Sequence, residues 1–125
     1  MKHILIVDDS PDLQQLLVRL FKSEGYETTQ AFDGRQALEL LQNSAVIPSV
    51  LLLDIMMPRM DGIELKSEMN KDAKFSDIPV VWMSADSGSL TKARALGGVD
   101  YIQKPIKNLE ALITTVARAQ IPATT

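Results

Sequence analysis

Short apolar runs alternate with amphipathic stretches five times along the chain, and this alternation limits the possible folds more than any other feature. Ile4-Leu5-Ile6-Val7 is continuously apolar yet too short for a helix, as expected of a strand buried on both faces. Ser10-Pro11 then predicts a helix start, with Ser as N-cap and Pro at the first helical position. Leu13, Leu16, Leu17 and Leu20 recur at helical spacing, which predicts that they form its buried stripe, and Gly25 can end the element.

The second unit reads as a strand over 26–31 and a helix over 33–43. Val50-Leu51-Leu52-Leu53 is the third strand, running into Asp54 and the turn Met57-Pro58-Arg59-Met60-Asp61-Gly62. Asp61 followed by Glu64 predicts a capping box for the third helix. A strand over 78–83, a helix over 87–96 closed by Gly97-Gly98, a strand over 99–103 and a helix carrying Leu109, Leu112, Ile113 and Val116 complete the pattern. Five such units imply right-handed crossovers and one α/β domain, a parallel sheet with helices on both faces. The expected domain is 1–121, with 122–125 a short polar tail and no output domain after the last helix.

Composition removes several function classes. With 13 basic and 16 acidic residues the formal charge is −3, so the broad basic surface of a nonspecific nucleic-acid binder is missing. There are no cysteines, which excludes disulfides, thiolate metal sites and thiol nucleophiles, and a single histidine, His3, cannot build a His-rich zinc site. The apolar start is too short for a signal peptide, and nothing approaches the roughly 20 apolar residues of a membrane span, so a cytoplasmic chain is expected.

The polar residues fall at strand ends. Asp8 and Asp9 end the first strand, Asp54 the third, Ser84 the fourth and Lys104 the fifth. Ligands of open α/β sheets bind outside the carboxyl ends of strands, where the strand order reverses. Three carboxylates gathered there repel one another and require counter-charge. Lys104 supplies one; a hard divalent cation such as Mg2+, which takes carboxylate oxygens and recruits phosphate oxygens, is the natural second. Asp54 can then serve as a nucleophile toward phosphorus, a reaction that asks for positioning and charge neutralisation more than for covalent chemistry.

These residues resemble the receiver domains of two-component response regulators, over residues 2–119. The likeness rests on Ile-Val-Asp8-Asp9-Ser10, Leu-Leu-Asp54-Ile-Met-Met-Pro58-Arg-Met-Asp61-Gly62, Met-Ser84-Ala85 and Asp100-Tyr101-Ile-Gln-Lys104-Pro105. It implies a flavodoxin-like, doubly wound (βα)5 sheet of strand order 2-1-3-4-5. It also implies residue roles: Asp54 as phosphoacceptor; Asp9, Asp54 and the Met56 backbone carbonyl as metal ligands; and Asp8 acting on the metal through water. Ser84 and Lys104 would hold the phosphate, Tyr101 would be the switch aromatic, and Met56 and Asp86 would tune the phosphoryl lifetime. The implied cofactor is Mg2+, with Mn2+ as a substitute. Lys104-Pro105 is expected in the cis form usual for the family. The implied partners are a sensor histidine kinase or histidine phosphotransfer protein and a downstream protein that meets the face of the fourth helix, fifth strand and fifth helix. Neither direct nucleic-acid contact nor membrane insertion is implied, and the chain would assist its own phosphorylation and dephosphorylation without being an enzyme otherwise.

Other readings stand beside this one. A haloacid-dehalogenase-like phosphatase needs a second Asp two residues after its nucleophile, where Met56 stands here. No Gly-x-x-x-x-Gly-Lys or Gly-x-Gly-x-x-Gly loop follows the first strand, which removes the common nucleotide sites. A receiver-like scaffold that works without phosphorylation is the remaining alternative. Taken singly, Asp8-Asp9 reads as a capping turn, Tyr101 and Trp82 as packing, His3 as a solvated strand start, and Met56, Met57 and Met60 as loop packing. Lys66, Lys71, Lys74, Lys92 and Arg94 read as solvated helix faces.

Overall fold

A computed structural model describes residues 2–45 and 47–120. The expected tail, 122–125, lies outside the described residues. The elements run β1 (His3–Val7), α1 (Pro11–Ser23), β2 (Glu27–Ala31), α2 (Gly34–Asn43), β3 (Val50–Asp54), α3 (Gly62–Met69), β4 (Val80–Ser84), a 3-10 turn (Ser87–Ser89), α4 (Leu90–Leu96), β5 (Asp100–Gln103) and α5 (Leu109–Ala119). All strand pairs are parallel, in the order β2-β1-β3-β4-β5, so the flavodoxin-like doubly wound sheet is present.

Side chains alternate across each inner strand and feed two cores. Ile4, Ile6, Val50, Leu52, Val81 and Met83 face α1 and α5, where Leu17, Phe21, Leu112 and Val116 meet them. Leu5, Val7, Leu51, Leu53, Val80 and Trp82 pack on the other side against Ala37, Leu41, Leu65, Met69 and Ala93 of α2, α3 and α4. Burial on both faces is why β1, β3 and β4 are unbroken apolar runs, whereas the edge strand β2, Glu-Thr-Thr-Gln-Ala, is polar. The caps follow the sequence signals. Ser10 accepts the Leu13 N–H ahead of Pro11, Asp33 accepts the Gln36 N–H, and Asp61 with Glu64 forms a complete capping box.

Several expectations change. In α1 the buried residues are Gln14, Leu17 and Phe21, and Leu16 is 45% exposed. The stripe is therefore shifted from the leucine series, with a polar residue in it. Lys66 is buried, because α3 turns Gly62, Leu65, Lys66 and Met69 inward together; its Nζ donates to the Ser76 carbonyl at 3.2 Å. Burial holds the Lys66 pKa below its usual value, against a smaller opposing effect of Asp77. His3 is half-buried, with Nε2 2.7 Å from Thr29 Oγ1. Met57 and Met60 pack on the core while Met56 is 62% exposed. β4 begins at Val80, after Pro79, which has no N–H to give the ladder. The expected fourth helix opens as the 3-10 turn, and Ser89 makes no side-chain cap for α4.

Trp82 sits in the core as expected, and its indole N–H donates to the Gly97 carbonyl at 3.0 Å. That bond draws the chain so close that a Cβ on Gly98, whose φ is +107°, would lie 2.3 Å from Trp82 Nε1. Gly98→Ala should therefore lower stability by about 2–4 kcal/mol through backbone strain and overpacking together. Urea unfolding of both proteins checks this; a loss below about 0.5 kcal/mol would mean the turn relaxes freely.

Candidate functional site

Because β1 and β3 are neighbours, their carboxyl ends bring the acids together. One oxygen each from Asp8, Asp9 and Asp54 lies within 4.8 Å of the others; Asp8 and Asp54 are buried and Asp9 is exposed. Lys104, just beyond β5, reaches across β4. Its Nζ lies 2.6 Å from Asp8 Oδ2 and 3.1 Å from Asp54 Oδ2, while its backbone N–H donates to the Ser84 carbonyl. The peptide bond that follows, Lys104-Pro105, is cis. The second Asp8 oxygen accepts the Ser10 N–H at 2.9 Å. Both Asp8 oxygens are thus engaged inside the protein, whereas Asp9 stands open to solvent.

The electrostatics follow from this crowding. Burial, then the charge of Asp8, raises the Asp54 pKa to about 6, with Lys104 and the Met56 N–H pulling partly the other way. Burial works against the Lys104 ammonium, but its hydrogen bond with Asp8 and the charges of Asp8 and Asp54 outweigh that and raise its pKa. Removing Lys104 from such a buried group would leave two carboxylates without their counter-charge, a loss of about 3–5 kcal/mol in comparable pairs.

Ser84 lies at the end of β4, but its hydroxyl is not directed into the acid cluster. It donates to the Asp86 carbonyl and accepts the Asp86 N–H, both at 3.0 Å. The half-buried Tyr101 donates its phenolic O–H to the Ser84 carbonyl at 3.2 Å. Asp86 accepts from the Gly88 N–H and the Ser89 hydroxyl, so its carboxylate caps the 3-10 turn. The structure therefore gathers Asp8, Asp9, Asp54 and Lys104, and ties Ser84, Asp86 and Tyr101 into an adjoining hydrogen-bonded segment.

Two features escape the reading by strand ends. The amide of Gln14 donates toward three carbonyls, Ile6 at 2.9 Å, Asp8 at 3.2 Å and Ala31 at 2.8 Å, fixing the ends of β1 and β2 beneath the acids. Its spacing with Leu17 and Phe21 (i, i+3, i+7) is the signal that would have found it. Asp33, beyond its cap role, receives Arg59 Nε on its second oxygen at 2.6 Å. Burial acts to raise the Asp33 pKa, but the Gln36 N–H and Arg59 outweigh it and hold the carboxyl below its usual value. Nothing in the local sequence pairs residues 33 and 59.

Residues 4–117 match the response regulator receiver domain. The chain belongs to this family. It is 38% identical over 121 residues to a probable transcriptional regulator, ycf27, of Guillardia theta, covering 94% of this chain and 46% of that protein. The chain spans about half the length of the curated relatives it matches. Among solved structures it resembles the chemotaxis protein CheY4 of Vibrio cholerae, with a TM-score of 0.86, 28% identity, and coverage of 95% of this chain and 98% of that one. It also resembles the response regulator TrrA of Thermotoga maritima in complex with Mg(2+)-BeF, with a TM-score of 0.83, 30% identity, and coverage of 95% and 99%. This receiver domain is thus a signalling module of two-component systems rather than a conventional enzyme. Among the described residues, no helix is long and apolar enough to cross a membrane.

The acid cluster of the receiver domain fits Mg2+ on chemical grounds. It offers hard oxygen donors from Asp9 and Asp54, is open to solvent at Asp9, and carries excess negative charge that Lys104 alone does not cancel. Without metal, the folded Asp54 holds its proton at pH values where the unfolded chain has released it. Its contribution to stability is therefore complete below its ordinary pKa of 3.8 and is lost as pH rises through about 6. In EDTA, Asp54→Asn should match the parent in Tm near pH 4 and exceed it by roughly 4 °C or more at pH 8. Parallel Tm curves across that range would contradict the unfavourable charge assigned to Asp54.

Proposed function

We propose that this receiver domain is a phosphorylation switch in which Asp54 accepts a phosphoryl group from a sensor histidine kinase or a histidine phosphotransfer protein. The observation that carries the proposal is the Lys104 ammonium bridging Asp8 and Asp54 beside the solvent-open Asp9. In this reading an Asp54 carboxylate oxygen bonds to phosphorus as the donor's P–N bond breaks, and the electron pair leaves with the imidazole. With its pKa near 6, Asp54 is mostly ionised at pH 7 and able to attack. Asp9, Asp54 and the Met56 backbone carbonyl would hold Mg2+, or Mn2+ in its place, with Asp8 acting through water. The bound cation would neutralise charge on the transferring oxygens.

Afterwards Asp54 no longer offers Lys104 a simple carboxylate, and the ammonium can turn to a phosphoryl oxygen. The Ser84 hydroxyl would exchange its bonds with the Asp86 backbone for another phosphoryl oxygen. Tyr101 is tied to the Ser84 carbonyl, so that movement reaches β5 directly. The α4–β5–α5 face is then the bistable element biased by the new charge, and a downstream protein reads it. Met56 and Asp86 flank the site and would set how long the phosphoryl group persists. The proposal takes the switch unit as 1–121 and implies a cytoplasmic protein.

Intact mass after incubation with acetyl phosphate and Mg2+ tests this. The parent should gain one phosphoryl group and Asp54→Asn none. Gain by both would remove Asp54 from its role; gain by neither, with a donor histidine kinase also failing, would favour a scaffold that works without phosphorylation.

A further inference from the structure

Arg59 has φ +64°, a left-handed backbone conformation, and it is the sole non-glycine with positive φ among the described residues. A side chain in that region needs surroundings that hold it there. Its side chain meets Asp33, the N-cap of α2: Arg59 Nε lies 2.6 Å from Asp33 Oδ2. The Arg59 side chain is 67% exposed while that of Asp33 is 7% exposed. An ion pair with one partner so exposed adds little to stability, so its effect is better sought in geometry.

The geometry is a closed loop. The segment between β3 and α3 begins at Ile55 and carries Met56, whose N–H acts to lower the Asp54 pKa. Its far end is pinned by the Gly62 N–H on the Ile55 carbonyl at 2.9 Å, and by the Gly34 N–H on the Met60 carbonyl at 2.8 Å. A Cβ on Gly34 would lie 2.5 Å from that carbonyl oxygen, so the two backbones meet without slack. Asp33 is also fixed from its own side, since its other oxygen caps α2 through the Gln36 N–H at 2.8 Å.

We infer that the Asp33–Arg59 pair, with Gly34 against Met60, is a positioning clamp that sets the Met56 peptide for metal binding and phosphoryl acceptance at Asp54. The clamp rests on the function proposed above, because it is the Met56 carbonyl that it aims. Arg59 touches neither cation nor phosphoryl group; it acts through the loop. Its anchor is the N-cap of α2, which makes the β2–α2 turn a support for the site even though β2 contributes no residue to the acid cluster.

The test measures Mg2+ affinity by calorimetry, the rate of mass gain from acetyl phosphate, and Tm, for Arg59→Gly, Asp33→Asn and the double variant. Glycine relieves the left-handed strain and Asn keeps a capping oxygen, so Tm should stay within a few degrees of the parent. Each single variant should weaken Mg2+ binding by about tenfold and slow phosphorylation, and the double variant should be no worse than either single. Unchanged Mg2+ affinity in both single variants overturns the clamp, as do losses that simply add in the double variant. If the parent gains its phosphoryl group while the variants match it, only the clamp falls; if the parent gains none, the proposed function falls and takes the clamp with it.

Discussion

The bridge from Lys104 to Asp8 and Asp54 is the interaction on which the site depends, because it makes two buried carboxylates tolerable next to each other. Those carboxylates approach each other because β1 and β3 are hydrogen-bonded neighbours, and Lys104 reaches them because β5 ends level with Ser84. The strand order thus decides which charges meet, and the ammonium decides whether they can remain. Its compensation is incomplete. Asp54 keeps a pKa near 6 from burial and from the Asp8 charge, and Asp9 adds a third carboxylate at the solvent edge. A site left in that condition favours a divalent cation and an incoming group that brings its own charge.

The loops around this charge cluster are held by hydrogen bonds to backbone groups as well as by packing of Ile55, Met57 and Met60 on the core. Gln14 secures the ends of β1 and β2 from below, and the Gly34–Met60 and Gly62–Ile55 bonds close the loop after Asp54. Ser84, Asp86 and Tyr101 form a separate network next to the cluster, sharing the short segment after β4. The two networks meet at the carboxyl end of β4, where Lys104 and Tyr101 both bond the Ser84 carbonyl. A change of charge at Asp54 therefore has a short path to the β5 edge.

Most of the architecture was legible in the sequence because burial on both faces leaves uninterrupted apolar runs such as Ile4-Leu5-Ile6-Val7 and Val50-Leu51-Leu52-Leu53. The acids and the lysine were legible because each lies at or just past the carboxyl end of a strand, where polarity has no structural reason to recur in concert. The strand order came from the resemblance to receiver domains, and the fold agrees with it. Less legible were residues whose role depends on a partner distant in sequence. Arg59 and Asp33 each look like turn chemistry until the fold sets them 2.6 Å apart. Lys66 reads as solvated only if charge is equated with exposure; its place on α3 beside Leu65 and Met69 puts it inward. The Ser84 hydroxyl was placed on the correct strand end, but its bonds with the Asp86 backbone are a rotamer choice that spacing does not encode.

These relations make a single structural claim: Lys104 and Ser84 are held in local bonds that a charged group on Asp54 would replace. A crystal structure with Mg2+ and beryllofluoride addresses it most directly. The account predicts beryllofluoride on an Asp54 oxygen, the cation between Asp9 and Asp54, Lys104 drawn from Asp8 toward a fluoride, and the Ser84 hydroxyl released from the Asp86 backbone. Beryllofluoride bound elsewhere, or bound to Asp54 with both local bonds unchanged, would contradict it.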